Sequence, residues 1–70
     1  MAVVEAVYGR NAGMVWRALN EKGKLGIRDI SKHTKLSILD VNGAIGWLAR
    51  ENKVKIVASG TKVLYELSGR

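Results

Sequence analysis

The sequence contains no cysteine and no proline, and no apolar run approaches the length of a membrane span. Without cysteine, neither disulfides nor thiolate ligation of zinc can reinforce the fold, and this absence fits a cytoplasmic protein. A helix that crosses a bilayer needs about 20 apolar residues, and the start of the chain lacks the basic flank and long apolar stretch of a signal peptide. We therefore expect a cytoplasmic protein with no membrane partner.

Acidic residues are also scarce, with six Asp and Glu against twelve Lys and Arg among 70 residues. The resulting formal charge of +6 on so small a body favours polyanions such as DNA, RNA or anionic lipid. A chain of this length forms one domain with a thin core, because only roughly 60% of the unfolded surface is buried on folding. Self-association would therefore help it to bury apolar surface.

The first third of the chain predicts an apolar segment followed by a helix. Three valines precede Gly9, in a pattern that fits a helix or a strand equally. We interpret residues 1–9 either as a dimerisation element or as a cover for the domain's own core. Asn11 is the predicted N-cap of the helix, and Gly23 its predicted end. The predicted buried face of this helix consists of Val15, Trp16 and Leu19.

A very short strand and a brief helix are expected next. Leu25 and Ile27 alternate with a glycine, which is typical of a strand of few residues. The helix is predicted from about Arg28 to Thr34. Its inward-facing residue is Ile30.

A longer helix is predicted to begin at Ser37. Asp40 follows three residues later, which is the spacing of a capping box. Asn52 is the predicted stop. The apolar stripe at helical spacing consists of Val41, Ala44, Ile45 and Leu48.

From residue 53 the apolar period changes to two, which predicts a hairpin of two strands. Ser59-Gly60 is a tight-turn dipeptide, and a two-residue loop there fixes the antiparallel register. One of the resulting pairs, Lys53 with Glu66, joins opposite charges across the strands. The predicted pairs are Ile56 with Val63, Val54 with Tyr65, and Lys53 with Glu66.

Several of these stretches resemble the framework of bacterial and archaeal winged helix-turn-helix regulators, namely residues 15–19, 25–30, 36–37 and 41–54. Residues 11–16 and 44–51 resemble, more narrowly, a family of small stand-alone winged helix-turn-helix proteins of uncharacterised function. The resemblance covers nearly the whole chain. It implies a single domain over residues 1–70, mostly α with a small antiparallel β hairpin, in which three helices precede the wing.

The resemblance also implies a DNA-binding surface. The helix that begins at Ser37 would be the recognition helix in the major groove, and the wing would touch phosphates or the minor groove. Asn42 has a side chain suited to reading adenine, and Ile38 could contact a thymine methyl or lie in a protein interface. Lysines and arginines of the preceding helix and the wing would hold phosphates or simply be solvated. The predicted DNA-binding residues are Arg28, Lys32, Lys35, Ser37, Ile38, Asn42, Lys55 and Lys62.

Two features depart from an ordinary recognition surface. Lys35 stands at the turn between the two helices, where related regulators usually have a glycine, and a positive φ there would cost a lysine up to about 1 kcal/mol relative to glycine. Gly43 and Gly46 lie inside the recognition helix, where each glycine lowers helix stability by about 1 kcal/mol relative to alanine. Their use is left open among close packing on a tryptophan, a partner helix and approach of the backbone to DNA.

We therefore expect a double-stranded DNA-binding protein, either a transcriptional regulator or a chromosome-associated factor, and a homodimer. The alternative is a winged helix that binds a protein partner through Ile38, Leu39 and the groove at Gly43 and Gly46. The sequence has no nucleophile–base pair, no paired acidic site, no metal cluster and no phosphate-cradling glycine loop. We accordingly expect no enzymatic activity, no cofactor and no metal.

Overall fold

The computed structural model describes the backbone of residues 2–68 and the side chains of residues 9–68. In this part of the chain, three helices precede a two-stranded antiparallel sheet, which confirms the predicted fold class. No helix within it is long and apolar enough to cross a membrane. The side chains of the predicted N-terminal apolar segment lie outside the described residues, so its role stays a prediction. The elements are α1 (Ala2–Lys22), α2 (Ile27–Thr34), α3 (Ile38–Arg50), β1 (Val54–Ser59) and β2 (Lys62–Leu67).

Helix α1 runs unbroken through Asn11, so the predicted N-cap at this residue is wrong. Asn11 is buried and shares one helix face with Val15 and Ala18, at spacings of four and three residues. Helix α1 packs against both α3 and α2, and burial of this residue outweighs the local preference of asparagine for a helix start. Trp16 is 37% exposed, so it lies at the margin of the buried face and not within it as predicted.

The connection between α1 and α2 is tighter than predicted. Gly23 ends α1 as expected, with a φ of +90° and its N–H donating to the Leu19 oxygen at 2.8 Å. Leu25 forms a single antiparallel bridge with Tyr65 through two backbone hydrogen bonds of 2.9 and 3.1 Å. Ile27 is already the first residue of α2, so the predicted short strand reduces to this one bridge.

The core lies where the three helices meet the base of the hairpin. The stripe predicted for α3 is entirely buried, as is the inward-facing Ile30 of α2. The last turn of α3 ends at Arg50, and Asn52 follows with a φ of +60°, close to the predicted stop. The buried cluster consists of Ala12, Val15, Leu19, Ile30, Val41, Ala44, Ile45, Leu48, Val54 and Leu67.

The hairpin has a different register from the predicted one. Its loop is Gly60-Thr61, because Gly60 takes a φ of +63° and a two-residue loop with glycine first matches the twist of the strands. The shift moves each pair by two positions in total, so the side chains keep their predicted faces. Lys53 therefore does not face Glu66, whose carboxylate lies 3.6 Å from the Lys55 ammonium group. The observed pairs include Val54 with Leu67, Lys55 with Glu66, Ile56 with Tyr65 and Ala58 with Val63.

The sheet has one covered and one open edge in the described part of the chain. Strand β2 pairs with β1 on one side and with Leu25 on the other. The outer edge of β1 has no strand beside it among these residues. The hairpin beyond the base of the sheet forms the wing.

Candidate nucleic-acid interface

The turn between α2 and α3 is held by side-chain hydrogen bonds on both sides of Lys35. The Thr34 hydroxyl donates to the Ile30 oxygen at 2.7 Å and accepts from the Leu36 N–H at 3.3 Å. The Ser31 hydroxyl donates to the Leu36 oxygen. Lys35 itself caps α2 in the left-handed conformation, with φ 64° and ψ 21°. The turn thus has the backbone geometry that favours glycine, but with a lysine whose side chain is exposed.

Helix α3 begins at the predicted residue. The Ser37 hydroxyl accepts a hydrogen bond from the Asp40 N–H at 3.1 Å, which satisfies one of the free donors of the first turn. The other sequence-predicted residues of this helix, Ile38 and Asn42, are both exposed. Leu39 is 80% exposed, the largest value among the large apolar side chains described as exposed. The outward surface of α3 therefore has more apolar than base-reading character.

The surroundings of Gly46 exclude one of the reasons considered for a glycine inside the recognition helix. A Cβ added there meets no atom within 4 Å, so packing inside the chain does not require the missing side chain. Trp47 lies partly buried against the core on the neighbouring face. Of the three uses considered for Gly46, close packing on a tryptophan of the same chain is removed.

Arg28 and Lys62 line the same opening, although they are 34 positions apart in the sequence. This cavity of about 290 Å³ lies between the start of α2 and the edge of β2. Val63 also lines it, together with Asp29, whose carboxylate in the first turn suits the positive end of the helix. Gly26 caps α2 without a side-chain hydrogen bond. Two basic residues from separate elements thus line one concave surface large enough for a phosphate group.

The other predicted basic residues do not join this opening. Lys32 is exposed one turn after Arg28 on α2, and Lys35 follows at the turn. Lys55 lines a different cavity, at the carboxyl end of α1, and is ion-paired with Glu66. Lys53, which is not among the predicted contacts, lines a third cavity between α1 and α3. The basic residues predicted to hold phosphates are therefore distributed over several surfaces.

Two wing residues that the sequence reasoning did not single out as contacts are strongly exposed. Ile56 is 66% exposed and Val63 is 51% exposed. Their alternation with lysines placed them on the core-facing side of the hairpin, as the structure confirms. The alternation does not show that the helices leave this part of the face uncovered. That depends on the position of the hairpin relative to the helices.

The remaining polar clusters lie apart from the wing. His33 Nε2 lies 3.3 Å from a Glu21 carboxylate oxygen, across the cleft between α1 and α2. Among the described residues, no group of three or more His, Cys, Asp or Glu side chains is arranged to hold a metal ion. Trp16 and Trp47 line the groove between α1 and α3.

The fold is shared with solved structures. Protein BT2368 from Bacteroides thetaiotaomicron, solved in solution by NMR, has 38% sequence identity and a TM-score of 0.85, over 93% of this chain and 79% of that protein. The Zalpha domain of Carassius auratus PKZ, crystallised with Z-DNA, has 23% identity and a TM-score of 0.74, over 86% of this chain and 95% of that domain. The second similarity extends to the fold alone. No curated protein matches the sequence significantly.

Residues 4–67 match a family described as "Winged helix-turn-helix domain (DUF2582)". The match covers α1 from its third residue onward, all of α2 and α3, and the whole hairpin. It agrees with the element order and with the positions of the turn and the wing. The chain belongs to this winged helix-turn-helix family.

Proposed function

We propose that this protein binds double-stranded DNA, with α3 against the major groove and phosphates held by α2 and the wing. The observation that carries the proposal is that Arg28 and Lys62, from two separate elements, line one opening. A phosphate seated there would be contacted from two elements, and such contacts fix the position of a protein on the duplex. The formal charge of +6 and a Zalpha domain of similar fold in complex with Z-DNA support DNA as the kind of partner.

The contact residues in this proposal fall into two groups. Ser37, Ile38 and Asn42 face the groove, and Asn42 is the one suited to reading a base. The phosphate contacts come from Arg28, Lys32, Lys35, Lys55 and Lys62. With four to six phosphates neutralised per protomer, the slope of log K against log salt is expected to be roughly −4 to −5. Because α3 offers little base readout, we propose a role with low sequence stringency, as a chromosome-associated factor or a regulator that acts as a homodimer.

The test is fluorescence anisotropy of a labelled duplex between about 50 and 200 mM salt, a range over which phosphate contacts change affinity strongly. The variant Arg28→Glu/Lys62→Glu is compared with Lys22→Glu/Lys24→Glu at the end of α1. Each double substitution lowers the formal charge by four, from +6 to +2. We expect the first to lose binding and the second to retain most of it. Equal losses would mean that overall charge alone drives binding, and no binding by the native protein would refute DNA as the partner.

The exposure of Leu39 supports a second candidate, a winged helix that binds a protein through the apolar face of α3. Here Ile38, Leu39 and the surface at Gly43 and Gly46 would dock an apolar partner. The substitution Leu39→Asp separates the two functions when DNA and protein binding are both measured. Unchanged DNA affinity of Arg28→Glu/Lys62→Glu, combined with partner loss on Leu39→Asp, would favour this alternative.

A further inference from the structure

Helices α1 and α3 enclose a groove that the predicted DNA contacts do not line. Trp47 and Glu51 of α3 and the following Lys53 form one side of it. None of the eight predicted DNA-binding residues, all of which the structure describes, is among its lining residues. We call this surface the α1–α3 groove. Its other side is one face of α1, which consists of Gly9, Ala12, Gly13 and Trp16.

The α1–α3 groove combines an exposed indole with bare helix backbone. Trp16 is 37% exposed, which is high for a residue type that is largely buried on average. A Cβ added at Gly9 or Gly13 meets no atom within 4 Å, so packing within the described chain leaves space over both glycines. Glycine lowers the stability of a helix interior relative to alanine, and the domain's own contacts do not require it here. The two glycines therefore suit the close approach of another molecule.

The size of the groove favours a protein side chain over a small molecule as its occupant. Its volume is about 230 Å³. Pockets that enclose small ligands usually measure roughly 300–1,000 Å³. Tryptophan is among the residues most enriched at protein–protein interfaces, where its large ring fills shallow depressions of this kind.

Helix α1 supplies both such a ring and a surface that can receive it. Gly9 and Trp16 lie symmetrically about the midpoint between residues 12 and 13, as do Ala12 and Gly13. When two copies of α1 pack antiparallel about this midpoint, Trp16 of each copy lies opposite Gly9 of the other. Ala12 of each copy then lies opposite Gly13 of the other, and both are small enough for the helices to approach closely. The contact is self-complementary, as an isologous dimer requires.

The charges of the α1–α3 groove also admit a second copy of this chain. With a formal charge of +6, two copies repel each other, so contact is most favourable where positive charge is least concentrated. Glu51 and Lys53 bring one negative and one positive group to the groove, and among the described residues neither has a salt-bridge partner. The opening beside α2 instead combines Arg28 and Lys62 with a single acid, Asp29.

We propose that the α1–α3 groove is a homodimer interface, in which Trp16 of each copy packs over Gly9 and Gly13 of the other. The proposed interface rests on the homodimer of the proposed function and on none of its DNA contacts. The residues proposed to face DNA lie at the start of α3, whereas Trp47 and Glu51 lie at its end. The dimer therefore leaves the recognition surface of both copies open.

Sedimentation velocity of the full chain over a concentration series measures the association. The test variant is Gly9→Gln/Gly13→Gln, which fills the surface that receives Trp16 with two uncharged side chains. The control is Gly46→Gln on α3, because Gly46 is also an exposed helix glycine with no atom within 4 Å of an added Cβ. All three substitutions raise helix propensity, so both variants are expected to fold, and circular dichroism checks this.

The native protein and Gly46→Gln are expected to dimerise as the concentration rises. In the test variant, the dissociation constant of the dimer should rise about tenfold or more, which corresponds to losing the burial of one large apolar side chain. At concentrations where the native chain is monomeric, the test variant should have the higher Tm, so lost stability does not explain its lost association. Raising salt from about 50 to 200 mM should strengthen the dimer by screening the repulsion between copies, whereas it weakens DNA binding.

Three results would overturn the proposed interface. If the native protein stays monomeric at every concentration, the interface and the homodimer both fail, whereas DNA binding is decided separately by anisotropy. If the test variant dimerises as tightly as the native protein, the copies meet through another surface. If Gly46→Gln loses the dimer equally, the loss is not specific to the α1–α3 groove. A native dimer that binds no DNA at low salt would refute the proposed DNA binding and support the interface.

Discussion

Replacing Lys35 with glycine should stabilise the protein while weakening its binding to DNA. Lys35 adopts φ 64° and ψ 21°, a conformation that costs an L-residue roughly 1–2 kcal/mol and glycine almost nothing. Glycine also gains more freedom in the unfolded chain, which offsets about 0.5–1 kcal/mol. The net gain in the free energy of unfolding is therefore about 0.5–1 kcal/mol. For a domain of this size, it corresponds to a Tm increase of roughly 2–8 °C.

The structure makes this substitution a clean one. The hydrogen bonds that hold the turn come from Ser31, Thr34 and the backbone of its neighbours, and none uses the Lys35 side chain. The Lys35 N–H donates to the Ser31 oxygen at 2.8 Å and is kept in glycine. Losing one phosphate contact should reduce the salt slope of DNA binding by about 0.9. Stability and affinity are thus expected to move in opposite directions.

Thermal denaturation by circular dichroism and anisotropy across a salt series measure the two effects. Asn52→Gly is the matched control, because Asn52 has a φ of +60° but asparagine tolerates that conformation. We expect a smaller gain in Tm there and no change in DNA binding. A lower Tm for Lys35→Gly would refute the strain argument. An unchanged salt slope would remove Lys35 from the DNA interface.

Three further predictions follow from the same region. Gly46→Ala should raise the free energy of unfolding by about 1 kcal/mol in denaturant unfolding, since the added methyl group meets no atom within 4 Å. It should also weaken DNA binding, measured by anisotropy, if the helix backbone approaches the duplex. A lower free energy of unfolding would contradict the open space at this position. Ser37→Ala should lower the free energy of unfolding by about 1 kcal/mol, because the Asp40 N–H loses its capping hydroxyl. Ser37→Asp should retain stability and weaken DNA binding by repulsion of phosphate. Equal stability of Ser37→Ala and the native protein would show that the cap contributes nothing. Thr34→Val should cost about 1–3 kcal/mol in denaturant unfolding, because the half-buried Leu36 N–H loses its acceptor, and a neutral effect would mean that water replaces it.

Periodicity predicted the helices of the helix-turn-helix well because their burial is one-sided. The α3 stripe at Val41, Ala44, Ile45 and Leu48 is fully recovered, and its start at Ser37 is marked by a capping hydroxyl. Both signals are local and depend on few distant contacts. The start of α1 has no such signal, since Asn11 is equally suited to a cap and to a buried helix position. Burial of Asn11 in the folded domain decides it, and the sequence around Asn11 does not contain that information.

The hairpin shows which part of a pattern the sequence determines. Alternation assigned Ile56 and Val63 to the correct face, because a shift of two positions leaves faces unchanged. The register depended on whether glycine comes first or second in the loop, and the dipeptide alone does not distinguish these. The surfaces that gather the basic residues are harder still to predict. Arg28 lines the same opening as Lys62 and Lys55 lines another, because the position of the wing beside α2 depends on the whole core.

The open outer edge of β1 has a consequence for how variants of this protein should be made. Alternate residues of this six-residue strand present unpaired backbone donors and acceptors, a template onto which a strand of another molecule can add. Lys53 and Lys55 flank and interrupt this edge, and their charges oppose such addition. Replacing them with apolar residues would remove the phosphate contact proposed for Lys55 and also promote aggregation at high concentration. Glutamine keeps the edge polar without placing a second carboxylate opposite Glu66, so it is the appropriate substitution at Lys55 wherever loss of DNA binding is to be distinguished from loss of protein.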